Sequence, residues 1–329
     1  MEPATKVAVL LAALVAASAG ACVTASTTTS SAPRRHEPRP PLAGATAEPG
    51  IAYASSSRMQ TLDLYRPKKG QAPYPLVIRI DGEPQSTSAA AIVDAGYALA
   101  IVRYRPPAEA TLVAAARDVK AAVRFLRASA ARYELDADRF IAWGSADAGW
   151  FAVMLGVTSD QATVFDDASL GHPTTSSAVQ VVIDWGGPTD FASLDVDQAS
   201  HSSPACSQTY QRHTLAGTNE SQWVCGDRST ALTDPACASA AHDVALEGYV
   251  ARLKRPPAFY FAHGADDCVT SIWQTVRVLE ALKKREEAPG FHRMSRAGRD
   301  DARFEAEETG RSLAFIHETF HPEAGARRD

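Results

Sequence analysis

One stretch of this 329-residue chain has the residue types and spacing of a chemical centre, Asp138-Arg-Phe-Ile-Ala-Trp-Gly-Ser-Ala-Asp-Ala-Gly-Trp-Phe-Ala-Val-Met-Leu-Gly156. An apolar strand runs into a turn of small residues, Gly144 to Gly149, and then into an apolar helix. A sharp strand–turn–helix of the form G-x-S-x-G displays a strained serine whose hydroxyl can attack a carbonyl carbon. Here Gly144 opens the pattern, but the nucleophile position is Ala146 and the closing glycine is Ala148. A methyl group cannot attack anything, so other residues must decide whether chemistry survives. Ser145 would need small residues at Trp143 and Asp147 to serve in a shifted register. Asp147 fits small-x-Asp-x-Gly through Ser145 and Gly149, yet it also needs a histidine to activate water; a carboxylate favoured by the positive end of a helix is the plainer reading.

The elements that must position this turn alternate along the chain. Thr61-Leu-Asp-Leu-Tyr65 (within a strand from Met59), the buried run Tyr74-Pro-Leu-Val-Ile-Arg-Ile80, Tyr97 to Val102, 138–143, Ala178 to Asp184, Pro257 to His263 and Phe291 to Arg296 read as strands. Between them, Ser88 to Ala95, Leu112 to Leu126, the helix after Gly149, Ser271 to Arg285 and Glu307 to Phe320 read as helices. Strands alternating with helices imply an α/β fold, a mostly parallel central sheet covered on both faces. Regularity lapses between the strands near 184 and 257, and residues 188–253 read as an insertion with one helix near Ala236 to Leu246.

Residues 1–21 read as a signal peptide, with Lys6 ahead of the apolar run Val7 to Ala17 and then Ala19-Gly-Ala21 before Cys22. Two readings stand there: ordinary cleavage after Ala21, or lipid attachment to Cys22 as in a bacterial lipoprotein. Residues 22–48 are rich in Ser, Thr, Pro and Ala and read as a disordered tether, residues 49–322 as the folded domain and 323–329 as a tail. The cysteines are Cys22, Cys206, Cys225, Cys237 and Cys268. If Cys22 carries lipid, four remain for disulfides in an oxidising compartment, in three connectivities. Cys225–Cys237, closing a short loop, with Cys206–Cys268 is the preferred one. A net charge of −5 and a pI near 6.0 give no nucleic-acid footprint. Membrane contact is expected only through an N-terminal lipid.

From Ile51 to Phe320 the chain resembles the α/β-hydrolase superfamily, near the feruloyl-esterase-like and hormone-sensitive-lipase-like bacterial esterases. The resemblance lies in Leu62-Asp-Leu-Tyr-Arg-Pro67, Ala95-Gly-Tyr97, Ala116-Arg-Asp-Val-Lys-Ala-Ala122, Leu135-Asp-Ala-Asp-Arg139, Asp184-Trp-Gly-Gly-Pro-Thr-Asp190 and His263-Gly-Ala-Asp-Asp267. It implies a serine–histidine–acid triad and an oxyanion hole from backbone donors. Transferred residue by residue, the acid is retained at Asp267, the nucleophile is lost at Ala146, and Arg299 stands where the histidine belongs, in Ala297-Gly-Arg-Asp300. The His-Gly-Gly oxyanion loop has become Asp81-Gly82-Glu83.

His292 begins a strand, His263 belongs to the scaffold, and His317 with His321 has i,i+4 spacing on a polar helix; His201 and His213, in the insertion, are the open candidates for a replacement base. Asp81, Glu83, Asp147, Asp266 and Asp267 are expected near one mouth with Arg299, which is expected to pair with Asp267. Surplus acid would favour a cationic ligand or a hard metal such as Ca²⁺, although solvated loop charge is the plainer reading. The expectation is therefore an exported, lipid-anchored relative of carboxylic-ester hydrolases that has lost catalysis and binds a small-molecule ligand or an envelope protein partner, with no cofactor and no metal. The competing expectations are an active ester hydrolase using Asp147 and a structural envelope protein.

Overall fold

The sheet is assembled from runs whose alternate residues serve two separate cores. In the computed structural model, which describes residues 42–81, 86–159, 161–200, 206, 212–299 and 301–322, the chain forms β1 (Ala45–Ala52), β2 (Thr61–Pro67), β3 (Tyr74–Ile80), α1 (Thr87–Asp94), β4 (Ala98–Val102), α2 (Leu112–Ala128), β5 (Leu135–Ser145), α3 (Asp147–Val157) and β6 (Val181–Trp185). Then follow α4 (Leu194–Ala199), α5 (Ala238–Asp243), α6 (Glu247–Val250), β7 (Ala258–Gly264), α7 (Ile272–Lys283), β8 (Gly290–Met294) and α8 (Ala302–Phe320). The eight strands lie in the order β1-β2-β4-β3-β5-β6-β7-β8. β2 runs antiparallel to β1 and β4, and the strands from β4 through β3 to β8 are parallel.

In β3, Leu76, Ile78 and Ile80 join the core built with α2, α3 and α7, while Val77 turns to the opposite core with Ile92 of α1 and Ile316 of α8. This period of two on a doubly covered strand is why the run reads as apolar except at Arg79, which is buried and donates to the Ser88 hydroxyl. Parallel register places Val77 beside Leu99 on one side and Ile141 on the other. Helix α2 starts where the Thr111 hydroxyl accepts the Ala114 N–H and buries Ala115, Val119, Val123 and Leu126 along one stripe.

The first strand corrects the tether boundary: β1 begins at Ala45, inside the stretch assigned to the tether through residue 48. β1 is an edge strand with mostly exposed side chains, held by main-chain pairing to β2, so its sequence carries no apolar period. The stretch read as a signal peptide, Cys22, most of the expected tether and the expected tail lie outside the described residues.

The insertion has more structure than its composition announces. One helix expected near 236–246 is two short ones, α5 and α6, and α4 precedes them. Trp223, Leu232, Val244, Leu246 and Val250 pack into the α2/α3 core, and the Trp150 indole donates to the Val244 carbonyl at 3.0 Å. Asp197 of α4 accepts from Gln274 and Arg277 of α7, each at 2.7 Å. The disulfides are Cys225–Cys237 and Cys206–Cys268, the second tying the insertion to the loop after β7. Disulfides fit an exported protein, and among the described residues no helix is long and apolar enough to cross a membrane.

Candidate functional site

β5 ends at Ser145 and α3 starts at Asp147, leaving Ala146 alone at the turn with φ 54° and ψ −132°. That conformation is sparsely populated for any L-residue and costs on the order of 1–3 kcal/mol. It is held by two hydrogen bonds, from Ala146 N–H to the Trp185 carbonyl at 2.9 Å and from Gly149 N–H to the Ala146 carbonyl at 2.8 Å. Two glycines make the turn sterically feasible. A Cβ at Gly144 would lie 2.0 Å from the Ala148 carbonyl oxygen, and one at Gly149 would lie 2.1 Å from Oδ1 of Asp184. The tip of the turn is thus residue 146, and Asp147 is the first residue of α3, its side chain 62% exposed. Ser145 is half-buried at the strand end, in register with Trp185.

Asp267 follows β7 and is buried. Its Oδ1 accepts from the main-chain N–H groups of Val269 (2.8 Å) and Thr270 (2.9 Å), and its Oδ2 lies 3.7 Å from Nε2 of His263. That histidine cannot stand in for the missing base. Its Nε2 is 2.9 Å from the Thr270 carbonyl, which only accepts, so Nε2 carries hydrogen; its Nδ1 is occupied by the Thr275 hydroxyl at 2.7 Å.

Arg299 corrects a second expectation. Its described partner is Asp147, with Nη2 3.4 Å from Oδ1, and not Asp267, whose Oδ1 is already taken by two main-chain donors. Asp81, just after β3, has φ 53° and donates its N–H to the Val102 carbonyl; Gly82 and Glu83 lie outside the described residues. Tyr104, just past β4, lies within electrostatic reach of Asp81 and Asp147. Burial first, then the charges of Asp81 and Asp147, push its phenol well above the usual range and keep it neutral. Its ring packs 4.5 Å from Phe151 of α3 and 6.5 Å from Trp223 of the insertion.

Of the open histidines, His201 lies outside the described residues. His213 is 9% exposed, and its Nδ1 is 2.7 Å from Oε1 of Glu220. That hydrogen bond raises its pKa; burial opposes it, Asp195 supports it and Arg299 opposes it. Asp195 also accepts the main-chain N–H of His213 at 2.7 Å. Its other ring nitrogen, Nε2, is buried without a hydrogen-bond partner. A seven-residue spacing within irregular chain gave no signal for the His213–Glu220 pair, and Tyr104 carried none either. His292 pairs with Glu308 of α8, and His317 and His321 stack on each other. Among the described residues no group of three His, Cys, Asp or Glu side chains could hold a metal ion.

Residues 62–282 match the BD-FAE family. Several solved structures share the fold at low identity. A truncated carbohydrate esterase from gut microbiota superposes with a TM-score of 0.70 at 22% identity, over 85% of this chain and 98% of that one. Esterase B from Lactobacillus rhamnosis gives 0.63 at 16% identity, over 89% and 93%. Esterase 2 from Thermogutta terrifontis, in a propionate-bound structure, gives 0.60 at 16%, over 85% and 96%. No curated protein matches the chain.

Proposed function

This chain belongs to the BD-FAE family, an esterase-like branch of the α/β hydrolases, and from that premise we propose that it is an exported pseudoenzyme that binds a small molecule in the old ester crevice without turning it over. The observation that carries the reading is Ala146. The strained φ of 54° is retained, along with both glycines that permit it, while the residue displayed there ends in a methyl group. The turn's cost persists without its catalytic return. A further support is that His263 is locked by Thr270 and Thr275 and that Arg299 occupies the loop after β8 where a base would be needed. Asp147 as nucleophile draws no support from the geometry, because it is the first helical residue and not the strained tip.

Export rests on the apolar run before Cys22 in the sequence and on two disulfides. A lipid at Cys22 would hold the domain at a membrane surface through residues 23–44. In this reading the protein works at the cell envelope.

The test is direct. The purified protein is assayed with p-nitrophenyl acetate and p-nitrophenyl butyrate, and nitrophenol release at the buffer rate is expected. Saturable turnover that disappears in Asp147→Asn would replace this reading with an aspartate mechanism. Fractionation of cells carrying the wild type or Cys22→Ser tests the anchor: the wild type is expected with membranes and the variant in the soluble fraction.

A further inference from the structure

A second concavity lies at the far end of α3 from the elbow. The helix runs from Asp147 to Val157, so its last residue stands about 16 Å along the axis from Ala146. There Gln161 donates through Nε2 to the Val157 carbonyl at 2.6 Å and to the Tyr249 carbonyl at 3.1 Å, which joins the loop after α3 to α6 of the insertion. Between that loop and the insertion lies a cavity of about 610 Å³, inside the range of roughly 300–1,000 Å³ typical of small-molecule sites. Ala162, Val164 and Ala245 give it apolar walls, and Val164 is a large apolar side chain that the fold leaves 37% exposed.

The polar groups of this cavity suit an anion. The Arg252 guanidinium lies over the Tyr249 ring, 4.9 Å from its centroid, and among the described residues no carboxylate pairs with it. That ring is itself fixed. Tyr249 is 7% exposed, its hydroxyl donates to the Asp243 main-chain carbonyl at 2.8 Å, and Phe165 packs 5.5 Å away. A guanidinium laid on a fixed ring keeps its N–H edge free for the two parallel hydrogen bonds that a carboxylate accepts. His242, exposed in the last turn of α5, lines the same space. The acid among the lining residues is Asp243, while Asp166, a little further along the loop, is taken by Lys120 and Thr163. Two basic side chains therefore share an apolar cavity with one acid.

We propose that this cavity, between the loop after α3 and helices α5 and α6, binds an organic carboxylate whose apolar body covers Val164 while its two oxygens meet the edge of the Arg252 guanidinium. The site is separate from the old ester crevice and needs nothing from Ala146, Asp267 or Arg299. Gly248 of α6 lines it, and a Cβ there would meet nothing within 4 Å, so the space at that wall is open and a larger side chain can fill it. A ligand held here touches both the insertion and the loop that follows α3, and its binding stabilises their contact.

The experiment is calorimetric titration of the purified protein, disulfides intact, with sodium benzoate as the probe. Benzamide serves as its uncharged counterpart and acetate as a carboxylate without the apolar body. Saturable benzoate binding is expected, with benzamide and acetate weaker by about tenfold or more. Arg252→Gln brings benzoate down to the level of benzamide, and Arg252→Lys, a point charge without the planar fork, recovers only part of the loss. Gly248→Leu fills the cavity and abolishes binding; at an exposed helical position leucine is the better helix former, so the melting temperature of the free protein does not fall. Asp243→Asn removes the like charge and tightens benzoate, a gain that misfolding cannot imitate. The proposal is overturned if benzoate does not bind, if it binds no better than benzamide or acetate, if Arg252→Gln or Gly248→Leu leaves the affinity unchanged, or if Asp243→Asn fails to tighten. Binding that is lost in Arg299→Gln and kept in Arg252→Gln puts the anion in the ester crevice, and that result also overturns it.

Discussion

Gly149 of α3 and Asp184 of β6 are packed so closely that a Cβ on the glycine would lie 2.1 Å from Oδ1 of the carboxyl. The same carboxyl oxygen accepts the Gly187 N–H at 2.9 Å, and a Cβ at Gly187 would also meet it, at 2.6 Å. Asp184 therefore clamps the elbow helix against the loop after β6, and the clamp excludes any side chain from both glycine positions.

The clamp has a pH signature. Burial pushes the Asp184 carboxyl up to about 7, and the one main-chain N–H it accepts lowers it only in part; its Oδ2 is buried without a partner. The folded protein consequently binds a proton more tightly than the unfolded chain. Stability from this group is complete below the unfolded value near 4 and falls as pH rises toward 7, after which no more is lost. Asp184→Asn imitates the protonated form and retains an acceptor for Gly187. Thermal melts of the two proteins between pH 4.5 and 8.5 should show the variant gaining on the wild type up to about pH 7 and then running parallel, with a gap on the order of a few kcal/mol. A gap that is flat across the range would show that Asp184 is charged throughout.

The missing groups should be restorable only together. Ala146→Ser puts a hydroxyl at the strained tip but leaves no base, since His263 is locked and His213 is held by Glu220. Arg299→His supplies an imidazole with nothing to activate. Residues that act as a unit are strongly non-additive, so the double variant should hydrolyse p-nitrophenyl butyrate about 10²-fold faster than either single variant, which should stay at the buffer rate. If Ala146→Ser alone matches the double variant, a base is already present, and His213 becomes the first residue to remove.

How far the sequence carried this picture depends on how local each signal was. β3 was legible because a doubly covered strand is apolar along most of its length, Arg79 being its one charged residue. The elbow was legible because small residues between an apolar strand and an apolar helix admit few conformations, and the positive φ falls at Ala146 as the spacing requires. β1 was not legible, because an edge strand held by main-chain pairing needs no apolar pattern. Neither was the partner of Arg299, a matter of where two loops meet: Asp147 and Arg299 are 152 positions apart. The His213–Glu220 pair falls in chain of low regularity, where the insertion takes its shape from packing of Phe191 and Trp223 on Trp150 and Phe151 of α3 and not from a period of its own.

Asp118 bears on the elbow through its hold on Arg105, the residue after Tyr104, whose ring packs on Phe151 of α3. It lies in α2, fully buried, and accepts from Gln60 Nε2 at 2.7 Å, from Arg105 Nε and Nη2 at 2.8 Å each, and from the Arg105 main-chain N–H at 3.1 Å. On the other side of Tyr104, Arg103 pairs with Asp63 of β2. Removing one partner of a fully buried ion pair costs roughly 3–5 kcal/mol, and because Arg105 is 21% exposed and partly solvated, about 2–3 kcal/mol is expected here. Asp118→Ala should lower the stability to urea by that amount, whereas Asp118→Asn, which keeps one acceptor oxygen for Gln60 or Arg105, should lose less. Because Tyr104 packs on Phe151 and Trp223, the alanine variant should also shift tryptophan emission at urea concentrations below its unfolding transition. A loss under about 1 kcal/mol with unchanged emission would mean that Tyr104 is held by its ring contacts alone and that Asp118 does not position it.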